Sequence, residues 1–286
     1  MVQTFNDLYL DARRRLRAAG VESSALEARL LLCHAARCSR EELLQRMNMY
    51  AGDSLRRQLD EVLGRRIAGE PVAYITGSWE FCGLPMVVDK SVLIPRMDTE
   101  VLVETVVEKY KGRMNATRVL DLGCGSGCIS CAIGRFLPSS RLTLLDLSPE
   151  ALSIARRNLA LNHLSRRAVC FAADMLAPPP LRLGEFDLIV SNPPYITSAE
   201  VETLDASVRD WEPRLALDGG EDGLRFYRSI TARWLTVLAG GGWLIMEVGE
   251  EQAGSVMELM KAASLQDVHA VLDTAGVERV VCGRKE

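Results

Sequence analysis

Arg118-Val119-Leu120-Asp121-Leu122-Gly123-Cys124-Gly125-Ser126-Gly127 spells a short apolar strand running straight into a loop with glycine at alternate positions, and Cys128–Phe136 beyond it has helical spacing. Glycine lets the backbone turn sharply and approach a ligand with no Cβ in the way. The pattern G-x-G-x-G lacks the last glycine of the dinucleotide fingerprint, because Cys128 stands in its place, and this weighs against a pyrophosphate. A second strand, Leu142–Leu145, ends in Asp146 at the distance expected of a carboxylate that accepts both ribose hydroxyls. A third, Phe186–Val190, is apolar and stops abruptly at Asn192-Pro193-Pro194-Tyr195. Such a run reads as a buried parallel strand, and open α/β sheets bind ligands at the carboxyl ends of their strands.

The tetrad has its own chemistry. Asn192 offers a carbonyl oxygen, Pro193 and Pro194 have no N–H and leave acceptors on a stiff backbone, and Tyr195 adds a flat ring. Acceptors beside an aromatic face suit a planar, conjugated –NH2, found on a glutamine side chain and on adenine. A glycine loop, an acidic strand end and N-P-P-Y, in that order, fit a nucleoside cofactor beside an amine acceptor. S-adenosylmethionine is the natural candidate.

Outward from these motifs, strands and helices alternate from Thr117 onward, as in a doubly wound sheet. Gly240-Gly241-Gly242 precedes a strand at Trp243–Val248 and a helix near Gln252–Ala263. Asp267–Leu272 and Val277–Cys282 are joined so tightly that they must pair antiparallel. Towards the N-terminus, residues up to about Gly69 read as wholly helical. Leu8, Ala12, Leu16 and Ala19 mark a first helix, Ser23 or Ser24 caps a second, Ser39 with Glu42 resembles a capping box for a third, and Ser54–Ile67 forms a fourth. Ala73–Val88 reads as a hairpin around Cys82-Gly83-Leu84-Pro85, and a helix follows from about Asp98 to Tyr110.

The 286 residues suit one large or two modest domains, and the net charge of -4 lowers the prior for nucleic acid, whose partners normally carry a basic surface. The basic run Arg13-Arg14-Arg15-Leu16-Arg17 reads first as a solvated helix face, since acidic and basic residues nearly balance over residues 1–90. No apolar stretch reaches membrane-spanning length, and the N-terminus lacks a secretory or transit pattern, so a cytoplasmic protein is expected. Cys124, Cys128 and Cys131 give a C-x3-C-x2-C spacing that an iron–sulfur cluster could use. Packing of small residues between helix and strand explains them better, so no metal is expected. His34, His163 and His269 lie outside every motif.

The chain resembles the HemK/PrmC family, the peptide chain release factor N(5)-glutamine methyltransferases. The resemblance rests on Glu70–Gly77, Leu93–Glu100, Asp121–Gly127, Asn192–Tyr195, Glu212-Pro213, Gly219–Tyr227 and Gly276–Val281, and it covers nearly the whole length. It implies a class I S-adenosylmethionine-dependent methyltransferase fold: a doubly wound, mostly parallel α/β sheet with a C-terminal antiparallel hairpin. A small helical substrate-recognition domain would span 1–70, a hairpin linker 71–92 and the methyltransferase domain 93–286. It also implies methyl transfer to the glutamine of the Gly-Gly-Gln loop of class 1 release factors, by a monomer with no membrane or direct nucleic-acid substrate.

By motif match, Asp121, Gly123, Cys124, Gly125, Ser126, Gly127, Asp146, Met175 and Asn192 would bind the cofactor. Asn192, Pro193, Pro194, Tyr195 and Arg96 would hold the substrate, with Asn192, Pro193 and Tyr195 catalytic. Two positions depart from the pattern: Met97 replaces the proline of I-P-R-P-D-T-E, and Met175 stands where many members have tryptophan beside the adenine. Glutamine methylation of another protein, such as a ribosomal protein, and adenine N(6)-methylation use the same site chemistry and stay open at this point. So does a non-catalytic binding protein, which the full set of motifs disfavours.

Overall fold

The computed structural model describes residues 3–112, 116–181 and 183–286, and they form two compact units. The first runs through Ser78 and takes in Ala206–Trp211; the second comprises Trp79–Asp205 and Glu212–Glu286.

The first unit is built from α1 (Phe5–Ala18), α2 (Ser24–Ala36), α3 (Arg40–Arg46), α4 (Asp53–Ile67) and α5 (Val72–Thr76). Leu8, Ala12 and Leu16 of α1 are buried together with Leu31 and Leu32 of α2 and Leu63 of α4, as the helical spacing requires. Ser39 and Glu42 form the anticipated capping box, each side chain accepting from the other's backbone N–H at 3.1 and 2.8 Å. Thr4 and Asp7 form another at the start of α1. The unit is not wholly helical, because β1 (Gln3–Thr4) and β2 (Tyr50–Ala51) pair as a short antiparallel ribbon. Ser23 precedes α2 but makes no side-chain cap bond. In the basic run, Arg14 pairs with Asp11 at 2.5 Å and Arg15 with Asp60 at 2.5 Å, so a largely exposed face is already part-neutralised.

The expected hairpin from Ala73 begins later. Pro71 offers its carbonyl to the N–H groups of Tyr74 and Ile75, which opens the helical turn α5, and Gly77 ends it at φ 66°. The hairpin proper is β3 (Ser78–Phe81) with β4 (Leu84–Val87), turning at Cys82-Gly83. The stretch expected as a linker thus contributes a helix to the first unit. Ala206–Trp211, with the short helix Ala206–Arg209, also joins that unit, where Trp211 lies against Gly69.

The second unit carries a seven-stranded sheet. After a 3₁₀ turn at Met97–Thr99, its elements are α6 (Glu100–Tyr110), β5 (Arg118–Leu122), α7 (Cys128–Phe136), β6 (Arg141–Asp146) and α8 (Pro149–Leu161). They continue with β7 (Ala168–Ala172), β8 (Phe186–Ser191), α9 (Arg225–Arg233), β9 (Leu238–Glu247), α10 (Ala253–Ala262), β10 (Gln266–Leu272) and β11 (Glu278–Arg284). The strand order is β10-β11-β9-β8-β5-β6-β7. β7, β6, β5, β8 and β9 are parallel, while β11 runs antiparallel to β9 and β10 antiparallel to β11. Central β5 and β8 are buried on both faces, so Val119, Leu120, Leu122, Leu188, Ile189 and Val190 are all apolar. β9 starts earlier than expected, passing through the triple glycine: a Cβ on Gly242 would lie 3.0 Å from the Asp187 carbonyl oxygen, so glycine serves close strand approach there.

Candidate active site

The carboxyl ends of β5, β6 and β8 open on one cavity of about 310 Å³ within the second unit. The loop after β5 forms one wall. Gly123, Gly125 and Gly127 all take positive φ, which favours glycine, and a Cβ on Gly123 would come within 2.4 Å of the methyl at the far end of the Met175 side chain. The loop is tied to β6 by Cys124 N–H donating to the Leu145 carbonyl at 2.8 Å and Gly125 N–H donating to Asp146 Oδ2 at 2.8 Å. Asp146 Oδ1 accepts from Ser148 N–H at 2.9 Å. A carboxylate has about four lone-pair directions, so acceptor capacity remains for a hydroxyl. Burial raises the Asp146 carboxyl above its ordinary range, and the backbone donors pull it back.

A second bracing side chain was invisible to motif reading. Asn158 on α8 is fully buried; it accepts from Val87 N–H at 2.6 Å and donates to the Val87 and Ser126 carbonyls at 2.9 and 2.8 Å. It fastens β4 to the glycine loop. Asp121 does not line the cavity. It lies behind the loop, takes a bond from the Ser130 hydroxyl at 2.7 Å, and leaves Oδ1 with no partner among the described residues. Burial pushes its carboxyl up to about 7, with the Ser130 bond opposing. Gly127 also stays out of the cavity, and a Cβ there would crowd Ala155 and Leu144 at 3.2 Å.

Cys124 lines the cavity beside Ser126 and Cys128, and burial pushes the Cys128 thiol up to about 12. Cys131 is buried on α7. Among the described residues no three His, Cys, Asp or Glu are grouped to hold a metal. Met175 lines the cavity, its carbonyl held by the Ser229 hydroxyl at 2.7 Å and the Trp234 indole N–H at 2.9 Å. Apolar Ile129, Leu147 and Met175 beside the acidic Asp146, Glu150 and Asp174 suit a purine nucleoside.

The N-P-P-Y loop forms the facing wall, with Asn192 and Pro194 on the cavity and Pro193 and Tyr195 behind them. Tyr195 packs on the main core, where burial raises its phenol well above the usual range. Its carbonyl accepts from Gln252 Nε2 at 2.9 Å. Glycines crowd this backbone: a Cβ on Gly219 would sit 2.7 Å from the Pro194 oxygen, and one on Gly223 would sit 2.3 Å from the Tyr195 oxygen. Arg96 lines the cavity, and its guanidinium is paired with buried Glu212, whose other oxygen accepts from Ile94 N–H at 3.1 Å. Met97 is exposed and lies outside the cavity lining, so its replacement of proline leaves the Arg96–Glu212 pair in place.

Comparison with known proteins agrees with this construction. Residues 7–77 match the PrmC N-terminal domain and residues 95–219 the methyltransferase small domain. The release factor glutamine methyltransferase of Geobacter sulfurreducens is 42% identical over 95% of this chain and 93% of its own length. The chain belongs to the release factor glutamine methyltransferase family. The family's enzyme from Caulobacter vibrioides is 39% identical over 100% of this chain and 98% of its own. A methyltransferase from Pyrococcus furiosus, 15% identical with a TM-score of 0.52 over 79% of this chain and 98% of that one, shares the fold. The sheet is therefore the class I methyltransferase sheet, as the family requires. Among the described residues no helix is long and apolar enough to cross a membrane.

Proposed function

We propose that this chain methylates the side-chain amide nitrogen of the glutamine in the Gly-Gly-Gln loop of class 1 peptide chain release factors, in the cytoplasm and as a monomer. The observation that carries this reading is one continuous cavity with the Asp146 carboxylate on one wall and Asn192 on the other. It is supported by the family to which the chain belongs.

Asp146 is assigned to the ribose hydroxyls, through the acceptor directions its backbone bonds leave open. The Gly123–Ser126 backbone would take the amino-acid end, and Met175 with Leu147 would enclose the adenine. S-adenosylmethionine supplies, when bound, a methyl group on a positively charged sulfur. The remaining task falls to this chain's residues: aligning a poor nucleophile, whose lone pair is delocalised into its carbonyl, and excluding water. Asn192 Oδ1 is assigned to one N–H bond of the glutamine amide, while Pro193, whose carbonyl is expected to accept the other, is buried outside the cavity lining. Fixed acceptors there would also stabilise positive charge growing on nitrogen, most strongly in a dry site. Tyr195 steadies this loop from behind through its ring and carbonyl. No side chain needs to take the proton early, since the attacked nitrogen turns acidic as it reacts. Residues 1 to about 70 are assigned to recognition of the folded release factor.

The test is mass spectrometry of a purified class 1 release factor after incubation with this protein and S-adenosylmethionine. A gain of one methylene unit on the loop glutamine is expected. An unmodified loop beside a methylated ribosomal protein or nucleic acid would move the activity to another substrate.

A further inference from the structure

Strands β8 and β9 run in parallel with Ser191 opposite Met246, so Asn192 and Glu247 leave the sheet side by side. Glu247 belongs to none of the sequence motifs, yet it is a carboxylate only 2% exposed at the root of the catalytic loop. Its Oε2 has no hydrogen-bond partner among the described residues. Thr99, equally buried and lining the cavity, stands between the two: Asn192 Nδ2 donates to the Thr99 hydroxyl oxygen at 3.2 Å. The Thr99 and Asn192 side chains both act on the Glu247 carboxylate and favour its ionised form.

We propose that Glu247 is a positioning residue which, through Thr99, turns the Asn192 amide so that its NH2 faces inward and its carbonyl oxygen faces the substrate. The inference rests on the assignment of Asn192 to the acceptor amide. The two ends of an asparagine amide are chemical opposites, one donor and one acceptor, and nearly identical in shape. Thr99 alone cannot choose between them, because a hydroxyl both donates and accepts. An ionised carboxylate only accepts. In this arrangement it would accept from the Thr99 hydroxyl, leave the Thr99 oxygen as acceptor, and so admit only the NH2 end of Asn192. A protonated Glu247 would donate to Thr99, Thr99 would donate to Asn192 Oδ1, and the amide would present NH2 to a substrate that also brings NH2.

The charged and titratable groups facing Glu247 are Asp98 beside Thr99, Arg279 on β11, Cys128 on α7, Tyr227 on α9, and Tyr195. Arg279 is itself shared with Asp98 at 3.3 Å and Asp273 at 3.1 Å. Burial is the main influence on the Glu247 carboxyl and pushes it up to about 7; the Thr99 and Asn192 bonds and Arg279 oppose it, and Asp98 adds to it. The orienting form therefore predominates at pH 8 and is mostly lost at pH 6.

The experiment measures kcat on release factor from pH 5.5 to 9, and cofactor Kd at the two ends, for wild type, Glu247→Gln, Thr99→Val and Asn192→Ala, each checked by thermal melt. Product from wild type at pH 8 tests the substrate assignment by itself, before any variant is compared. Wild-type kcat is expected to fall on the acid side with a midpoint near 7 while cofactor Kd stays within about twofold. Glu247→Gln, able to face Thr99 with either end, should lower kcat about tenfold or more at pH 8 and erase the acid limb, since the oriented acceptor is lost part of the time. Thr99→Val should do the same, and carries the test if Glu247→Gln does not fold. Added to Asn192→Ala, Glu247→Gln should cost nothing further, because the two act as one unit. An acid limb that survives in both single variants, or losses that simply add in the double variant, would overturn the proposal.

Discussion

The glycine loop after β5 and the N-P-P-Y loop after β8 leave neighbouring strands and face each other across one cavity, but they are held in place differently. The glycine loop depends mainly on what lies near it in the chain, with Asn158 of α8 as a more distant brace. Its geometry follows from three positive-φ glycines, and its main anchor, Asp146, lies 21 residues from Gly125 on the next strand. The N-P-P-Y loop depends on distant segments. Thr99 is 93 residues before Asn192, Gln252 is 57 after Tyr195, and Gly219 and Gly223 come from the segment ahead of α9. A loop of the first kind can be recognised from one stretch of sequence. A loop of the second kind has the right residues locally but takes its orientation from the assembled fold.

The largest effect should come from the second wall. Asn192→Ala removes one oriented acceptor, which in a preorganised site typically costs ~10²–10³ in rate, while cofactor affinity should stay within about twofold. Turnover against calorimetric Kd checks this; a collapse of cofactor binding with normal turnover would assign Asn192 to the wrong ligand. Asp146→Ala should show the opposite pattern. Loss of charge-assisted bonds to the ribose, worth roughly 1.5–3 kcal/mol, should weaken cofactor Kd about 10- to 100-fold and leave saturated kcat less affected. Equal effects on kcat and Kd in both variants would erase the distinction between the two walls.

Gly223→Ala sharpens the comparison without touching the cavity. A methyl there would meet the Tyr195 oxygen at 2.3 Å, at a backbone φ of +70° that non-glycine residues seldom adopt. Strain of ~1–3 kcal/mol should lower the melting temperature and reduce kcat by about tenfold, with cofactor Kd nearly unchanged. The smallest effect is expected far from both walls. Charge reversal at Arg13, Arg14 and Arg15 removes exposed ion pairs with Asp11 and Asp60, and kcat/KM for release factor should change by only about two- to threefold. A loss beyond tenfold would make that basic face a principal contact for the substrate.

The capping box at Ser39 and Glu42, the Cys128–Phe136 helix and the strand ending at Asp146 were all legible because each obeys a local rule: a cap, a period or a strand end. The opening of the hairpin was misplaced because the Val72–Thr76 turn draws on the Pro71 carbonyl, while its β-branched residues read as strand. Asn158 and Glu247 gave no signal at all, and Glu212 stood in a matched stretch with no role read for it. A lone polar residue in a helix or strand looks ordinary until the fold buries it against a group that needs it.

By itself, then, the sequence determined the alternation that makes a mostly parallel sheet, the glycine loop that must pass close to a ligand, and the acceptors offered at Asn192–Tyr195. These depend on backbone geometry and residue chemistry that travel with a few consecutive residues. Only the tertiary structure decided that Ala206–Trp211 belongs with the helical unit, that Arg96 is paired with Glu212, and that Thr99 and Glu247 meet Asn192. Those outcomes depend on which distant groups are desolvated together. A buried polar group must find its partner wherever the packed chain brings one, and no spacing along the sequence records where that will be.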